Sequence, residues 1–159
     1  MPAIAVCLAP TRLQSGRYRR QAGSYKESKM PHFIAEYTDN LEHQADLPGL
    51  FAKVHQVLGD SGVFPLGGIR SRAVRLDTWR MADGKHDYAF VHMTLKVGHG
   101  RDLPTRQAVA EALFRVITEH FAALQAQRLL ALSFEMVELH PQLNFKQNNV
   151  HAFLSNQAG

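Results

Sequence analysis

Apolar residues recur along this chain with two different periods, and the changes of period divide it into elements. Over 32–38 the run HFIAEYT reads as a strand. Over 47–58, Leu47, Leu50, Phe51, Val54, Val57 and Leu58 fall on one face at helical spacing. A second strand is predicted over 69–79. A third covers 87–97, where Ala89, Val91, Met93, Leu95 and Val97 alternate onto a single face. The longest element is a helix over 103–126, with Val109, Leu113, Val116, Ile117, His120, Phe121 and Leu124 along one stripe. A fourth strand comes next, over 129–139. The stretch 143–154 is polar with Phe145, Val150 and Phe153 embedded in it, the mixture expected of a tail that docks on the body.

The predicted order is βαβ followed by βαβ, in units of about 31–80 and 87–140. Both helices open on the same tripeptide, Asp46-Leu47-Pro48 and Asp102-Leu103-Pro104. An Asp cap accepts from the orphan amides of the first turn, and Pro there pre-sets the helical backbone. Capping alone accounts for one instance; its recurrence after a strand in each half argues for an internal duplication. Each unit should hold parallel strands joined by a right-handed crossover. The expected fold is α+β of α/β type: a duplicated βαβ arrangement, a four-stranded sheet with two helices on one face. The other face is left bare and is read as rich in apolar residues, so oligomerisation is expected.

Residues 1–30 do not share this rhythm. A short apolar run from Ile4 to Leu8 is followed by polar and basic sequence. The charge comes after the apolar run, the reverse of a secretory signal, while an Arg-rich, acid-poor transit peptide remains compatible. The segment reads either as a disordered or targeting arm, or as upstream sequence ahead of a true start at Met30. It also carries the chain's basicity. Arg12, Arg17, Arg19, Arg20, Lys26 and Lys29 against Glu27 give it a net +5, and since the whole chain carries +4, residues 31–159 come to −1. The body therefore has no global electrostatic footprint for nucleic acid, and the arm Arg12–Arg20 offers no folded scaffold for it. No stretch reaches the roughly 18 apolar residues of a membrane helix. Cys7 is the single cysteine, which excludes an intrachain disulfide and a thiolate zinc cluster and fits a reducing compartment such as the cytoplasm.

Candidate chemistry concentrates on arginine. On the second strand Arg70, Arg72, Val74, Leu76 and Thr78 share a face, so two cations stand beside apolar residues of core type. An unpartnered arginine is costly to bury, so this end of the face should be a pocket mouth or an ion pair. The guanidinium fork suits carboxylates. A second cation, Arg101, ends Gly98-His99-Gly100-Arg101 at the close of the third strand, where ligands of open α/β sheets gather. The nine histidines show no zinc-ligand spacing, and no nucleophile elbow, P-loop or dinucleotide fingerprint is present, so no metal is expected.

Four segments carry a likeness to a known family: Met30-Pro31-His32-Phe33-Ile34, Gly68-Ile69-Arg70-Ser71-Arg72, Asp87-Tyr88-Ala89-Phe90-Val91-His92-Met93, and Leu143-Asn144-Phe145-Lys146-Gln147-Asn148-Asn149-Val150-His151. Over about 31–154 the chain resembles the 5-carboxymethyl-2-hydroxymuconate Δ-isomerases of the tautomerase superfamily. The resemblance implies two fused subunits of the small tautomerase type, a homotrimer, no cofactor, and an anionic substrate from homoprotocatechuate breakdown. It implies an amino-terminal proline as catalytic base, which here is Pro31. Arg70 and Arg101 are the expected substrate-binding residues, and Arg72 is a weaker one with a structural role as its other reading. The chain departs from the family in its 30-residue extension. Attached to it, the Pro31 nitrogen is a tertiary amide with no basic lone pair. Catalysis then requires initiation at Met30 with methionine trimmed, or cleavage before Pro31. The alternative is a non-catalytic trimeric anion-binding relative in which the extension blocks Pro31. Pro2 is a poorer base, because Ala3-Ile4-Ala5 does not match the residues after the family's proline.

Overall fold

The computed structural model describes residues 30–157; the arm with Pro2, Cys7 and Arg12–Arg20 lies outside the described residues. The chain forms β1 (His32–Thr38), α1 (Leu47–Asp60), β2 (Arg70–Leu76), β3 (Tyr88–Val97), α2 (Leu103–Gln125), β4 (Leu129–Glu138) and α3 (Val150–Gln157), with 3-10 turns at Asp39–Leu41 and Leu66–Gly68. One sheet runs in the order β2-β1-β3-β4. β1 and β2 are parallel, as are β3 and β4, while β1 and β3 meet antiparallel at the centre. The architecture is therefore two βαβ units side by side, an α+β fold.

The repeated tripeptide caps both long helices, but with different backbones. Asp102 is extended and accepts from Thr105 N at 2.8 Å. Asp46 is left-handed at φ 40° and accepts from Gly49 N at 3.2 Å. A β-carbon at Gly49 would overlap the Asp46 carboxylate, so glycine is what lets this tighter cap close.

The core lies between the sheet and the two long helices. Leu50, Val54 and Leu58 of α1 and Val109, Leu113, Ile117 and Phe121 of α2 pack on Phe33 and Ala35 of β1 and on Ala89, Val91, Met93, Leu95 and Val97 of β3. All five of those β3 residues are fully buried, as the period-two alternation requires. β4 adds Leu130, Leu132, Phe134 and Met136 at the margin.

The opposite sheet face corrects the sequence reading. Register places in successive rows Arg70, His32, Lys96 and Val137; then Arg72, Ile34, Thr94 and Glu135; then Val74, Glu36, His92 and Ser133. This face is mixed: charged and polar residues stand among the exposed apolar Val74, Leu129 and Val137, so it is not the richly apolar surface expected. Val74 and Leu76 do share it with the arginines, but it is not the core face, and Val74 is 39% exposed. β2 also ends at Leu76 and not at Trp79, because its partner strand ends at Thr38, opposite Leu76. Beyond it Trp79 donates to Asp39 at 2.8 Å and sets its ring edge-on to Phe90.

Further exposed apolar residues lie in the tail, at Leu143, Phe145, Val150 and Phe153. The tail closes with α3, a helix the sequence pattern does not announce. It packs on the Leu66–Gly68 turn, where a β-carbon on Gly67 would meet the His151 ring and backbone. Among the described residues no helix is long and apolar enough to cross a membrane.

Phe33 joins this core to the start of β1. It is fully buried, edge-on to Phe51 and tilted against Phe134. Phe33→Ala should cost about 3–5 kcal/mol, read as a lower urea midpoint at unchanged slope; a loss below about 1 kcal/mol would show that this ring does not anchor the strand.

Candidate active site

Pro31 is buried at the entry to β1. Its carbonyl accepts from Arg70 N at 3.1 Å, the bond that starts the β1–β2 ladder. On the other side His32 pairs with Lys96, so Pro31 lies beside the last turn of β3 and the Gly98–Arg101 loop after it. One ladder bond thus holds this residue to the beginning of β2, and the ladder to β3 begins at its neighbour His32. The arrangement converges three elements that sequence places far apart.

Arg70, the first residue of β2, points its guanidinium back along the strand end and donates from Nη1 to the Met30 sulfur at 3.4 Å. Arg72 sits one row further along the same face, opposite Ile34, and is exposed. Arg101 reaches the site from the β3–α2 loop. It donates to the carbonyls of Gly98 at 2.9 Å and Val63 at 3.4 Å, and its guanidinium lies 4.4 Å over the Phe64 ring. Arg101 therefore also buttresses its own loop, stacked as a planar cation suits an aromatic face. The structure brings Pro31, Arg70 and Arg101 to one corner of the sheet and puts Arg72 at its margin.

Four further residues belong to this corner, none of them named from sequence as a catalytic or substrate-binding residue. Met30 is only 4% exposed, and its sulfur takes donors from both Arg70 and Asn148, each at 3.4 Å. Asn148 also donates to the Gly67 carbonyl at 2.9 Å, tying the tail to the turn before β2. Lys146 brings its ammonium against Gly98. His32, half-buried, faces the same side as Arg70 and Lys96. The alternation of β1 and β3 carried a signal for His32 and Lys96, since both fall off the core face. Nothing local signalled Asn148 or Lys146 beyond their membership of a quoted motif.

The electrostatics of the corner are cationic. Burial first, and then Arg70, Arg72, Lys146 and Lys96, hold the His32 imidazole below its ordinary value of 6.5. His55, bonded to Ser71 Oγ at 2.9 Å, is also lowered by burial. Among cavities of the described residues, one of about 640 Å³ lies at the opposite end of the sheet, lined by Gln44, Asp87, His120 and Arg128. It has no part of this corner.

A histidine whose pKa is lowered by folding favours the native state fully above the unfolded value, and that contribution is lost as pH falls through the lower folded value. Stability toward urea should therefore decline between about pH 7.5 and about pH 5, and His32→Asn should make the decline shallower. An unchanged slope in the variant would remove His32 from this account.

Residues 31–154 match the family described as 5-carboxymethyl-2-hydroxymuconate isomerase. The chain is 67% identical over 123 residues to the 5-carboxymethyl-2-hydroxymuconate Delta-isomerase of Escherichia coli, a match spanning 77% of this chain and 98% of that protein. Among solved structures it is similar to a 5-carboxymethyl-2-hydroxymuconate isomerase from Deinococcus radiodurans R1, at TM-score 0.75 and 43% identity over 80% of this chain and 96% of the other. A second 5-carboxymethyl-2-hydroxymuconate delta-isomerase aligns at TM-score 0.73 and 26% identity over 80% of this chain and 94% of the other. With the matched span covering both βαβ units and the tail, the chain belongs to the 5-carboxymethyl-2-hydroxymuconate isomerase family, and it is an isomerase of that type.

Proposed function

We propose that this isomerase acts on 5-carboxymethyl-2-hydroxymuconate or a close unsaturated 2-hydroxy polycarboxylate, with the nitrogen of Pro31 as general base in a chain freed of everything before it. The observation that carries the reading is the placement of Pro31, buried where Arg70 and Arg101 converge and where the family match begins. A terminal secondary amine has an ordinary pKa of about 7.7–8.0. Burial and neighbouring cations disfavour its ammonium form, so a useful fraction is unprotonated near neutral pH.

The proton balance is closed within the substrate. Pro31 N takes the proton of the 2-hydroxyl, negative charge develops on that oxygen and along the conjugated carbons, and the resulting ammonium returns the proton to a distal carbon of the diene. The product is the 2-oxo isomer. Arg70 and Arg101 bind carboxylates and offset the developing enolate charge; no cofactor is needed for a transfer of this kind.

Met30 bears on the same reading. While attached, it makes the Pro31 nitrogen an amide and fills the position where Arg70 and Asn148 converge. Its removal would release the base and open that position together. A homotrimer accords with the resemblance and with the apolar tail surface of Leu143, Phe145 and Phe153. We assign the enzyme to the cytoplasm, and neither nucleic acid nor membrane is a partner in this reading.

The decisive comparison is between a chain begun at Met30 and the chain begun at Met1, each with its mature N-terminus read by mass spectrometry and its turnover followed by loss of dienol absorbance. Activity should track exposure of Pro31. Full activity with all thirty preceding residues retained would overturn the mechanism, while anion binding without turnover in both chains would favour a non-catalytic relative. Pro31→Ala in the shorter chain should lower kcat by about 10²-fold or more, with residual rate from the primary amine. Arg101→Ala should raise KM by about tenfold or more without dissociating the oligomer; unchanged kcat and KM would withdraw its carboxylate role.

A further inference from the structure

We propose that Asn148, on the segment between β4 and α3, is a catalytic residue that donates a hydrogen bond to the oxyanion developing on the substrate's 2-oxygen, at the place the Met30 sulfur fills while Met30 is attached. The proposal rests on the isomerase reading above and adds a donor to the same site.

Met30 marks the place. It is buried, and its sulfur accepts from Arg70 Nη1 and from Asn148 Nδ2, each at 3.4 Å. Two donors carried by distant parts of the chain therefore meet at one acceptor atom. That atom belongs to the residue bonded to the Pro31 nitrogen, so the meeting point is within one side chain's length of the base. A thioether is a weak acceptor, and both donors are better matched to oxygen than to the sulfur they hold.

The Asn148 carboxamide is fixed by its other two contacts. Its Oδ1 accepts from Val150 N at 2.8 Å, and its Nδ2 donates to the Gly67 carbonyl at 2.9 Å. The first bond settles which end of the amide is oxygen. The second uses one of the two Nδ2 hydrogens, and the other is the one aimed at Met30. α3 packs on the same Leu66–Gly68 turn, which seats the segment. The direction of the remaining donor is thus set by backbone groups at Gly67 and Val150, so it outlasts the loss of Met30.

Removal of Met30 creates the amine and takes away the shared acceptor together. The reaction then supplies a better one. The substrate O–H bond breaks, an N–H bond forms at Pro31, and negative charge builds on the 2-oxygen beside that nitrogen until the proton is returned to carbon. Donors already aimed at such an oxygen favour the transition state over the neutral hydroxyl of the ground state. A neutral amide is also suited to this side of the base, because a further cation there would weaken the amine's hold on the proton it must take.

The test uses chains begun at Met30 and verified to start at Pro31. Asn148→Ala should lower kcat about 10²-fold while KM moves less than about threefold. His151→Ala, which disturbs the seating of α3 without touching the corner, should leave kcat within about threefold. A loss carried mainly by KM, a kcat change below about threefold in Asn148→Ala, or an equal kcat loss in His151→Ala would overturn the proposal. Should the intact chain show no turnover, the isomerase reading fails separately, and calorimetry with 2-oxoglutarate and glutarate decides Asn148. The intact chain should favour the 2-oxo acid at least about threefold, and Asn148→Ala should abolish that preference. A preference that survives the substitution, or is absent from the intact chain, overturns the assignment.

Discussion

The whole site depends on the first two residues of the β1 entrance being locked into two ladders at once. Arg70 N bonds to the Pro31 carbonyl, while His32 pairs with Lys96 across the antiparallel seam. Phe33 then drives into the core one residue on, which fixes the strand's rotation as well as its register. A terminal residue would ordinarily fray. Here a nitrogen at Pro31 is held by tertiary structure on both sides, so its position relative to Arg70 and Arg101 is set by the sheet. A general base needs that order of placement more than it needs a particular side chain.

The same locking collects positive charge at one corner of the sheet. Burial, and then Arg70, Arg72, Lys146 and Lys96, lower the pKa of His32 and so disfavour its charged form. Among the described residues three arginines are held in ion pairs, Arg75 with Glu42, Arg106 with Glu138 and Arg128 with Asp87, and these hold loops and strand ends.

The legible parts of this architecture were those written with a strong period. The alternation from Ala89 to Val97 placed β3 to within one residue, and the helical stripes placed α1 and α2 to within two residues at their ends. β2 shows why the rest was harder. Its even positions carry Val74 and Leu76 beside Arg70 and Arg72, and periodicity alone cannot say which face meets the helices. The set on the helix side of the sheet is Ser71, Ala73 and Arg75, which no hydrophobicity rule would choose and of which Ala73 and Arg75 stay exposed. As an edge strand it is constrained by one partner only. α3 was hidden for a different reason: its seat is made by Gly67, far away in sequence, and not by an apolar stripe of its own. Pro31, Arg70 and Arg101 could be named from motif and chemistry. That they meet, and that His32, Lys146 and Asn148 join them, comes from register and tail docking, which are properties of the folded chain.

Duplication explains why there is one such corner and not two. Because β1 and β3 run antiparallel, the start of each lies beside the end of the other, so the sheet has two topologically equivalent corners. At one, the start of β1 meets the loop after β3, and Pro31 meets Arg101. At the other, the start of β3 meets the loop after β1, and a cavity opens among Gln44, Asp87, His120 and Arg128. There the strand is entered from within the chain, so no amine can form. Its arginine is consumed by the protein itself: Arg128 donates to the Asn40 carbonyl, to Gln44 Oε1 and to Asp87 at 2.9–3.1 Å. The two halves share a fold, yet the second corner has no counterpart of a strand entrance that could present a terminal amine. On the proposed mechanism, the chemistry is set less by the βαβ unit than by which of its two strand entrances can become a chain terminus.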